Sequence, residues 1–330
     1  MTDKIDFIIT WVDGNDLSWQ KSKQFFSGTE NEDMNSIARF RDWEILQYWF
    51  RSVEMNAPWV NKIFFVTEGH VPKWLNTKND KLVVLKHSDY IDSKYLPTFN
   101  SNVIELNFDK IPGLSRFFVN FNDDMFINSI VKETDFFEND LPKDSGIFSP
   151  IVPKRKTISS IVQNNIEIIN DYFDSRKVLR SNFLKFFNLK YKKHLVKNLC
   201  ILPWKNILGF YDNHIPVSYD LSIFRKVIKL EQQTIEDLST HRFRTKEDIN
   251  HWLVRYWQLC EGHFTPRSVD FGKLFRISSE IEQIENELID GRHKVICLND
   301  GDGEQDFELN KQRLISAFEK KFPEKSSFEI

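Results

Sequence analysis

Residues 5–12, IDFIITWV, form a β-branched and aromatic run that stops abruptly in Asp13-Gly14-Asn15-Asp16. A short apolar run bounded by turn residues reads as a buried strand feeding a polar loop. Residues 63–67 and 82–85 repeat the pattern, and 117–121 end in Asn122-Asp123-Asp124. A last run, 294–298, enters Asn299-Asp300-Gly301-Asp302. Between the first two runs, Trp43, Leu46, Phe50 and Val53 recur at spacings of three and four. That is an amphipathic helix over 39–55, stopped by Pro58. Strands alternating with helices define an α/β class with a mostly parallel central sheet flanked by helices. Ligands bind such sheets beyond the carboxyl ends of the strands. The acidic clusters after 5–12 and 117–121 are therefore expected on one shared edge.

The pattern changes over 154–205, where strand signals fade and helical periodicity interleaves Lys, Arg and Phe. The expected organisation is a catalytic α/β domain of residues 1–153 and 200–330, carrying a helical insertion at 154–199 that faces acceptor or membrane. Segment 183–198 sets Phe183, Phe186 and Phe187 among Lys185, Lys190, Lys192, Lys193 and Lys197. It reads either as a solvated helix with a core stripe or as a surface that settles on anionic membrane. Further helices are expected at 220–230, 247–260 and 310–322.

Lys and Arg number 45 against 48 Asp and Glu, a formal charge of −3 in 330 residues. This excludes a nucleic-acid binder working through bulk positive charge. Cys200, Cys260 and Cys297 lie far apart, which argues against a zinc knuckle or a disulfide framework and for a reducing compartment. Asp3 and Asp6 stand where a secretory signal needs bases, and no stretch reaches the roughly 18 apolar residues of a membrane span.

Several residues could carry chemistry. Asp123-Asp124 at a strand end suits a hard cation bridging diphosphate oxygens, although a solvated loop or helix cap would use the same pair. Asp13-Gly14-Asn15-Asp16 is either a tight turn or a backbone approach to a ligand whose hydroxyls the acids hold. Asp300, Asp302, Glu304 and Asp306 begin like a calcium loop, but Gln305 and Lys311 occupy the positions that need Gly and Glu, which rejects an EF-hand. His214 and Arg244 stand singly in polar stretches, and Cys297 reads as a buried thiol.

Taken together, these residues resemble the Stealth family of sugar-1-phosphate transferases. The opening motif is Ile5-Asp-Phe-Ile-Ile-Thr-Trp-Val-Asp-Gly-Asn-Asp16. Arg39-Phe-Arg-Asp-Trp-Glu44, Arg51-Ser-Val-Glu54, Ala57-Pro-Trp-Val60, Leu96-Pro-Thr-Phe-Asn-Ser101 and Phe121-Asn-Asp-Asp-Met-Phe126 follow in the family's order. His214-Ile-Pro216, Arg244 and Cys297-Leu-Asn-Asp300 resemble its later blocks, with Val217 where a second His can follow.

The resemblance implies a Rossmann-like, GT-A-like nucleotide-sugar transferase. Its donor would be a UDP-hexose or UDP-N-acetylhexosamine, and its acceptor an oligosaccharide or lipid-linked glycan. Attack on the phosphorus next to the sugar would release UMP and leave a phosphodiester. It implies catalytic roles for Asp123, Asp124, His214 and Arg244, with His214 either donating to the diphosphate or acting as base. Trp11, Asp13, Gly14, Asp16, Arg39, Arg41 and Asp300 would seat the nucleotide sugar. Asp124 and Asp300 would hold Mg²⁺ or Mn²⁺. The location implied is cytoplasmic, with contact at the inner membrane face and no nucleic-acid partner. A conventional metal-dependent glycosyltransferase releasing UDP, or an inactive sugar-nucleotide-binding subunit, shares most of these features.

Overall fold

A computed structural model describes residues 3–27, 42–155, 157–300 and 306–330. Its central strands are β1 (Ile5–Thr10), β2 (Ile63–Thr67), β3 (Leu82–Lys86) and β4 (Phe117–Asn122). β5 (Met125–Ile127), β6 (Val217–Asp220), β7 (Gly272–Arg276) and β8 (Val295–Asn299) follow. The main sheet runs β3–β2–β1–β4–β6, parallel except for the antiparallel β4–β6 pair. A second sheet, β7–β8–β5, continues from the end of β4. The mostly parallel, helix-flanked sheet expected from the alternation is thus present.

The helices are α1 (Leu17–Phe26), α2 (Leu46–Asn56), α3 (Ser101–Leu106) and α4 (Ser159–Tyr172). α5 (Ser175–Ser181), α6 (Phe183–Phe186), α7 (Leu195–Cys200) and α8 (Leu221–Leu230) come next. α9 (Gln232–Ser239), α10 (Trp252–Glu261), α11 (Ile277–Asp290) and α12 (Phe307–Lys321) follow. Two cores cover the sheet. On one face Phe7, Trp49, Phe50 and Phe121 pack with Leu314 and Phe318 of α12. On the other, Ile8, Phe64, Phe118 and Tyr219 pack with Val162, Ile169, Leu179 and Phe186. Residues of 154–199 thus share one core with the sheet.

Two helices differ from expectation for local reasons. The first begins at Leu46, because Asp42 Oδ1 accepts from Glu44 N at 2.7 Å and Glu44 takes a left-handed φ of 55° that no helix tolerates. Segment 183–198 is broken where Asn188 accepts from Lys190 N and Lys192 adopts a φ of 51°. Tyr191 turns into the core there, donating to Lys185 O at 2.7 Å and accepting from Gly146 N at 2.9 Å.

Asp6 ties the sheet's base together. Inside β1, it accepts from Asn61 Nδ2 (2.7 Å), Lys62 N (3.1 Å) and Ser115 N (2.7 Å), joining the approaches to β2 and β4. Arg51 does the same for the 322–329 segment. It donates twice to Glu329 at 2.9 Å, to Glu319 at 3.0 Å and to Phe322 O at 2.7 Å. Removing one member of a buried ion pair strands its partner. Arg51→Met should lower unfolding stability by about 3 kcal/mol, read from the urea midpoint. A change within error would mean that Glu329 finds water or another donor.

Candidate functional site

Strand register assembles the site. Thr10 of β1 stands opposite Asn122 of β4, so the loops following both strands open on one edge. The chain turns at Asp123-Asp124 directly into β5, whose Met125 pairs with Cys297 of β8. Leu298 N donates to Asp124 O at 2.8 Å, which brings Asn299-Asp300 alongside. Because β6 runs antiparallel with Val217 opposite Asn120, the approach to β6 lies beside the exit of β4. His214 arrives on that approach at a φ of 51°, its N–H donating to Asp212 Oδ1 at 3.0 Å. A non-glycine residue held left-handed is strained, and such strain gathers at functional sites.

Arg244 comes from the strap 241–248, which is stitched to the start of α3. Phe99 N donates to Arg242 O at 2.7 Å. Asn100 Nδ2 donates to Phe243 O at 3.2 Å and to Asp248 Oδ2 at 2.8 Å. The guanidinium itself donates to Ser101 Oγ.

These segments enclose a cleft of about 640 Å³ whose lining includes Trp11, Asp123, Asp124, His214, Arg244 and Asp300. Asp13, Gly14 and Asp16 do not line it. Asp13 Oδ1 accepts from Asn15 N at 2.8 Å, and Asp16 caps α1 through Ser18 Oγ (2.5 Å) and Trp19 N (2.7 Å). The cap fixes Trp19, whose ring meets Phe99 at 5.7 Å and itself lines the cleft. This loop thus has the geometry of the tight turn weighed above. Arg39 and Arg41 lie outside the described residues, as do Asp302 and Glu304.

Single-residue reading missed much of the wall. Trp43 Nε1 donates to Asp300 Oδ2 at 3.2 Å, and Asp42, Ser101, Glu105 and His251 face the same space. Nothing in residue type distinguished Glu105 and His251 from ordinary helix positions; only the fold brings them in.

The electrostatics follow from crowding. Asp123 keeps solvent-facing surface, but the cleft walls desolvate it, and Asp124 and Asp42 add like charge, so its carboxyl is pushed up to about 7. Burial also raises Asp124 and Asp42, with His214 opposing the shift at Asp124. Burial lifts the Glu105 carboxyl to about 7, with the Arg244 charge opposing the rise. Burial drives His251 down to about 3, so it is neutral.

Asp124, His214 and Cys297 offer ligand atoms within 4.8 Å of one another. Asp300, expected beside Asp124 as a metal ligand, is not in that group, and its Oδ2 is engaged by Trp43. Cys297 lies nearer to Asp124 than its reading as a plain core thiol suggested: it donates to Asp124 Oδ2 at 3.3 Å. Burial and the neighbouring carboxylate raise its pKa, so it stays protonated and is a poor ligand. Among the described residues, Asp124 Oδ1 is buried without a hydrogen-bond partner. An orphaned carboxylate oxygen amid raised carboxyls fits a divalent cation, and the oxygen-rich surroundings suit a hard one.

The Asp123 shift has a definite sign. Its unfolded carboxyl titrates near 3.9, so between about pH 4 and pH 7 the folded protein retains a proton that the unfolded chain releases, and stability falls as pH rises. Asp123→Asn should therefore raise the melting temperature at about pH 8 and leave it nearly unchanged at about pH 4. An equal shift at both pH values would remove carboxylate crowding from the account.

Conserved regions 1 and 2 of the Stealth proteins match residues 3–30 and 39–144. Over 329 residues, 99% of this chain and 98% of the relative, it is 54% identical to the capsular polysaccharide phosphotransferase WcwK of Streptococcus pneumoniae. The exopolysaccharide phosphotransferase cps2G of Lactiplantibacillus plantarum is 41% identical, with 98% and 96% covered. The receptor polysaccharide phosphotransferase WefC of Streptococcus gordonii is 39% identical, with both chains fully covered. Among solved structures, the galactosyltransferase LgtC covers 94% of this chain and 95% of its own at 9% identity, with a TM-score of 0.38, too loose to argue from. Identity of this degree along the whole chain is decisive: the protein belongs to the Stealth family and is a phosphotransferase.

Proposed function

We propose that the enzyme transfers a sugar-1-phosphate from a UDP-hexose or UDP-N-acetylhexosamine to a hydroxyl of a capsular or cell-surface glycan. The acceptor oxygen forms a bond to the phosphorus nearest the donor sugar, and the bond from that phosphorus to the oxygen bridging to UMP breaks. UMP leaves with the bridging oxygen, the acceptor proton passes to a base, and the sugar's anomeric bond is untouched. The observation that carries this reading is the convergence of Asp123, Asp124, His214, Arg244 and Asp300 on one cleft at the strand ends.

The residues divide the work by chemistry. Arg244, oriented by Ser101, presents a planar fork suited to a phosphate. His214 lines the same space and would donate to the diphosphate or receive the acceptor proton. Asp123, with its carboxyl near neutrality, is the other group fit to take that proton. Trp11, stacked on Phe65 at 5.6 Å, offers a face to the uracil ring. The Asp13–Asp16 turn would act by setting Trp11 and Trp19 at the rim. Asp124, with Asp300 or His214, would hold Mg²⁺ or Mn²⁺, whose charge would offset that of the diphosphate.

Among the described residues, no helix is long and apolar enough to cross a membrane. We place the reaction on the cytoplasmic side, where UDP-sugars and lipid-linked acceptors meet. Asp124→Asn, His214→Ala and Arg244→Ala should each lower kcat by about 10²–10³ while the protein stays folded, with no drop in melting temperature for Asp124→Asn. Near-normal turnover in all three would remove the site. The nucleotide released from labelled UDP-sugars decides the chemistry: UMP supports phosphotransfer, whereas UDP would make the protein a conventional glycosyltransferase.

A further inference from the structure

Between Ser175 and Lys205 the chain carries nine Lys and Arg and no Asp or Glu, while the whole chain is −3. The rest of the molecule therefore carries −12. Seven large apolar residues in the same stretch are exposed: Phe183, Leu184, Leu189, Val196, Leu199, Leu202 and Trp204. A soluble surface does not ordinarily concentrate apolar side chains in this way.

The fold turns these residues outward together. Phe186 of α6 stacks on Phe148 at 5.0 Å, and Asn198 of α7 accepts from Phe148 N at 2.7 Å and donates to Gly146 O at 2.8 Å. Both short helices thus stand on the same strip, 146–148, and their opposite faces look away from it. Leu184 lies on that outer face of α6, and Val196 and Leu199 on that of α7. Arg176 of α5 holds 202–204 against this group, donating to Leu202 O at 3.2 Å and Pro203 O at 2.7 Å. Arg180, Lys193 and Lys205 are exposed around the apolar patch.

We infer that the outer face of α6, α7 and 202–204 docks on an anionic phospholipid bilayer, with the apolar side chains entering the headgroup region and the surrounding bases pairing with lipid phosphates. Charge selects this occupant: a stretch without a single acid in an otherwise acidic protein complements a negative surface, and apolar side chains beside bases are what such an interface takes up. The placement also fits the cleft. His194 meets Tyr211 at 4.8 Å, Lys197 lies 5.0 Å above the same ring, and three residues on comes His214. Thr157 and Ile158, upstream of α4, line the cleft. The docked segment is therefore joined through Tyr211 to the approach that carries His214, and an acceptor tethered to lipid would meet the donor close to the surface. The inference deepens the proposed function only in that last step.

The test is co-sedimentation of full-length protein with vesicles of phosphatidylcholine alone and of phosphatidylcholine mixed with phosphatidylglycerol. The wild type should partition onto the mixed vesicles, lose binding at high salt and ignore the neutral ones. Leu184→Ser with Leu189→Ser and Trp204→Ala, or Arg180→Glu with Lys193→Glu, should reduce partition at least about tenfold. Ile289→Ser, which removes an equally exposed apolar residue on α11, should not. Either patch variant should keep UMP release with a soluble oligosaccharide acceptor, so its failure on vesicles is separable from failure of the chemistry. Wild-type binding by both patch variants, or no binding by the wild type, overturns the inference. So does a patch-dependent dimer in sedimentation velocity without vesicle partition, which would make the face a contact between copies, and so does patch-dependent binding of an anionic glycan alone.

Discussion

Like charges are gathered where they repel, and the fold's architecture is what keeps them there. Asp42, Asp123, Asp124 and Asp300 reach one cleft from three separate stretches of chain. Asp123 and Asp124 follow β4 and Asp300 follows β8, so strands hold three of the four in place. β1 and β4 are stitched at their base through Asp6, and β5 is clamped to β8 by backbone pairing. Large buried aromatics, Trp49, Phe50 and Phe121 among them, offset that repulsion. Burial and like charge both act on Asp123, and together they push its carboxyl up.

The cationic side of the cleft is built differently. Arg244 and His214 sit on loops, each stiffened by hydrogen bonds to a neighbouring segment. Asp123, Asp124 and Asp300 directly follow strands, whereas Arg244 and His214 come on loops.

What the sequence revealed tracks how local each determinant is. The strands that deliver Asp123 and Asp300 are continuous apolar runs, and they are where they were expected. β6 was hidden because VSYD reads as a polar loop. Its Asp220 is fully buried, and although burial works against it, hydrogen bonds from His263 and Arg116 hold its carboxyl far below the ordinary range. Those partners are distant in the chain, and with β6 unseen the proximity of His214 to Asp124 had no local sign. The acidic turn after β1 hid a further role: Asp16 is three residues before Trp19 N on a helix start, a capping arrangement beside the turn and the ligand approach weighed from sequence. The broken segment 183–198 shows the same limit, since the inward turn of Tyr191 depends on Gly146.

The pairing of β5 with β8 has a consequence for synthesis. Met125, Phe126 and Ile127 leave the ribosome some 170 residues before the strand that covers them, as the Met125–Cys297 register shows. Until then the nascent chain displays a sticky, half-finished edge, the kind that recruits wrong neighbours in a crowded cell. Translation speed and holdase supply during that interval will govern how much product a cell obtains, independently of how stable the finished molecule is.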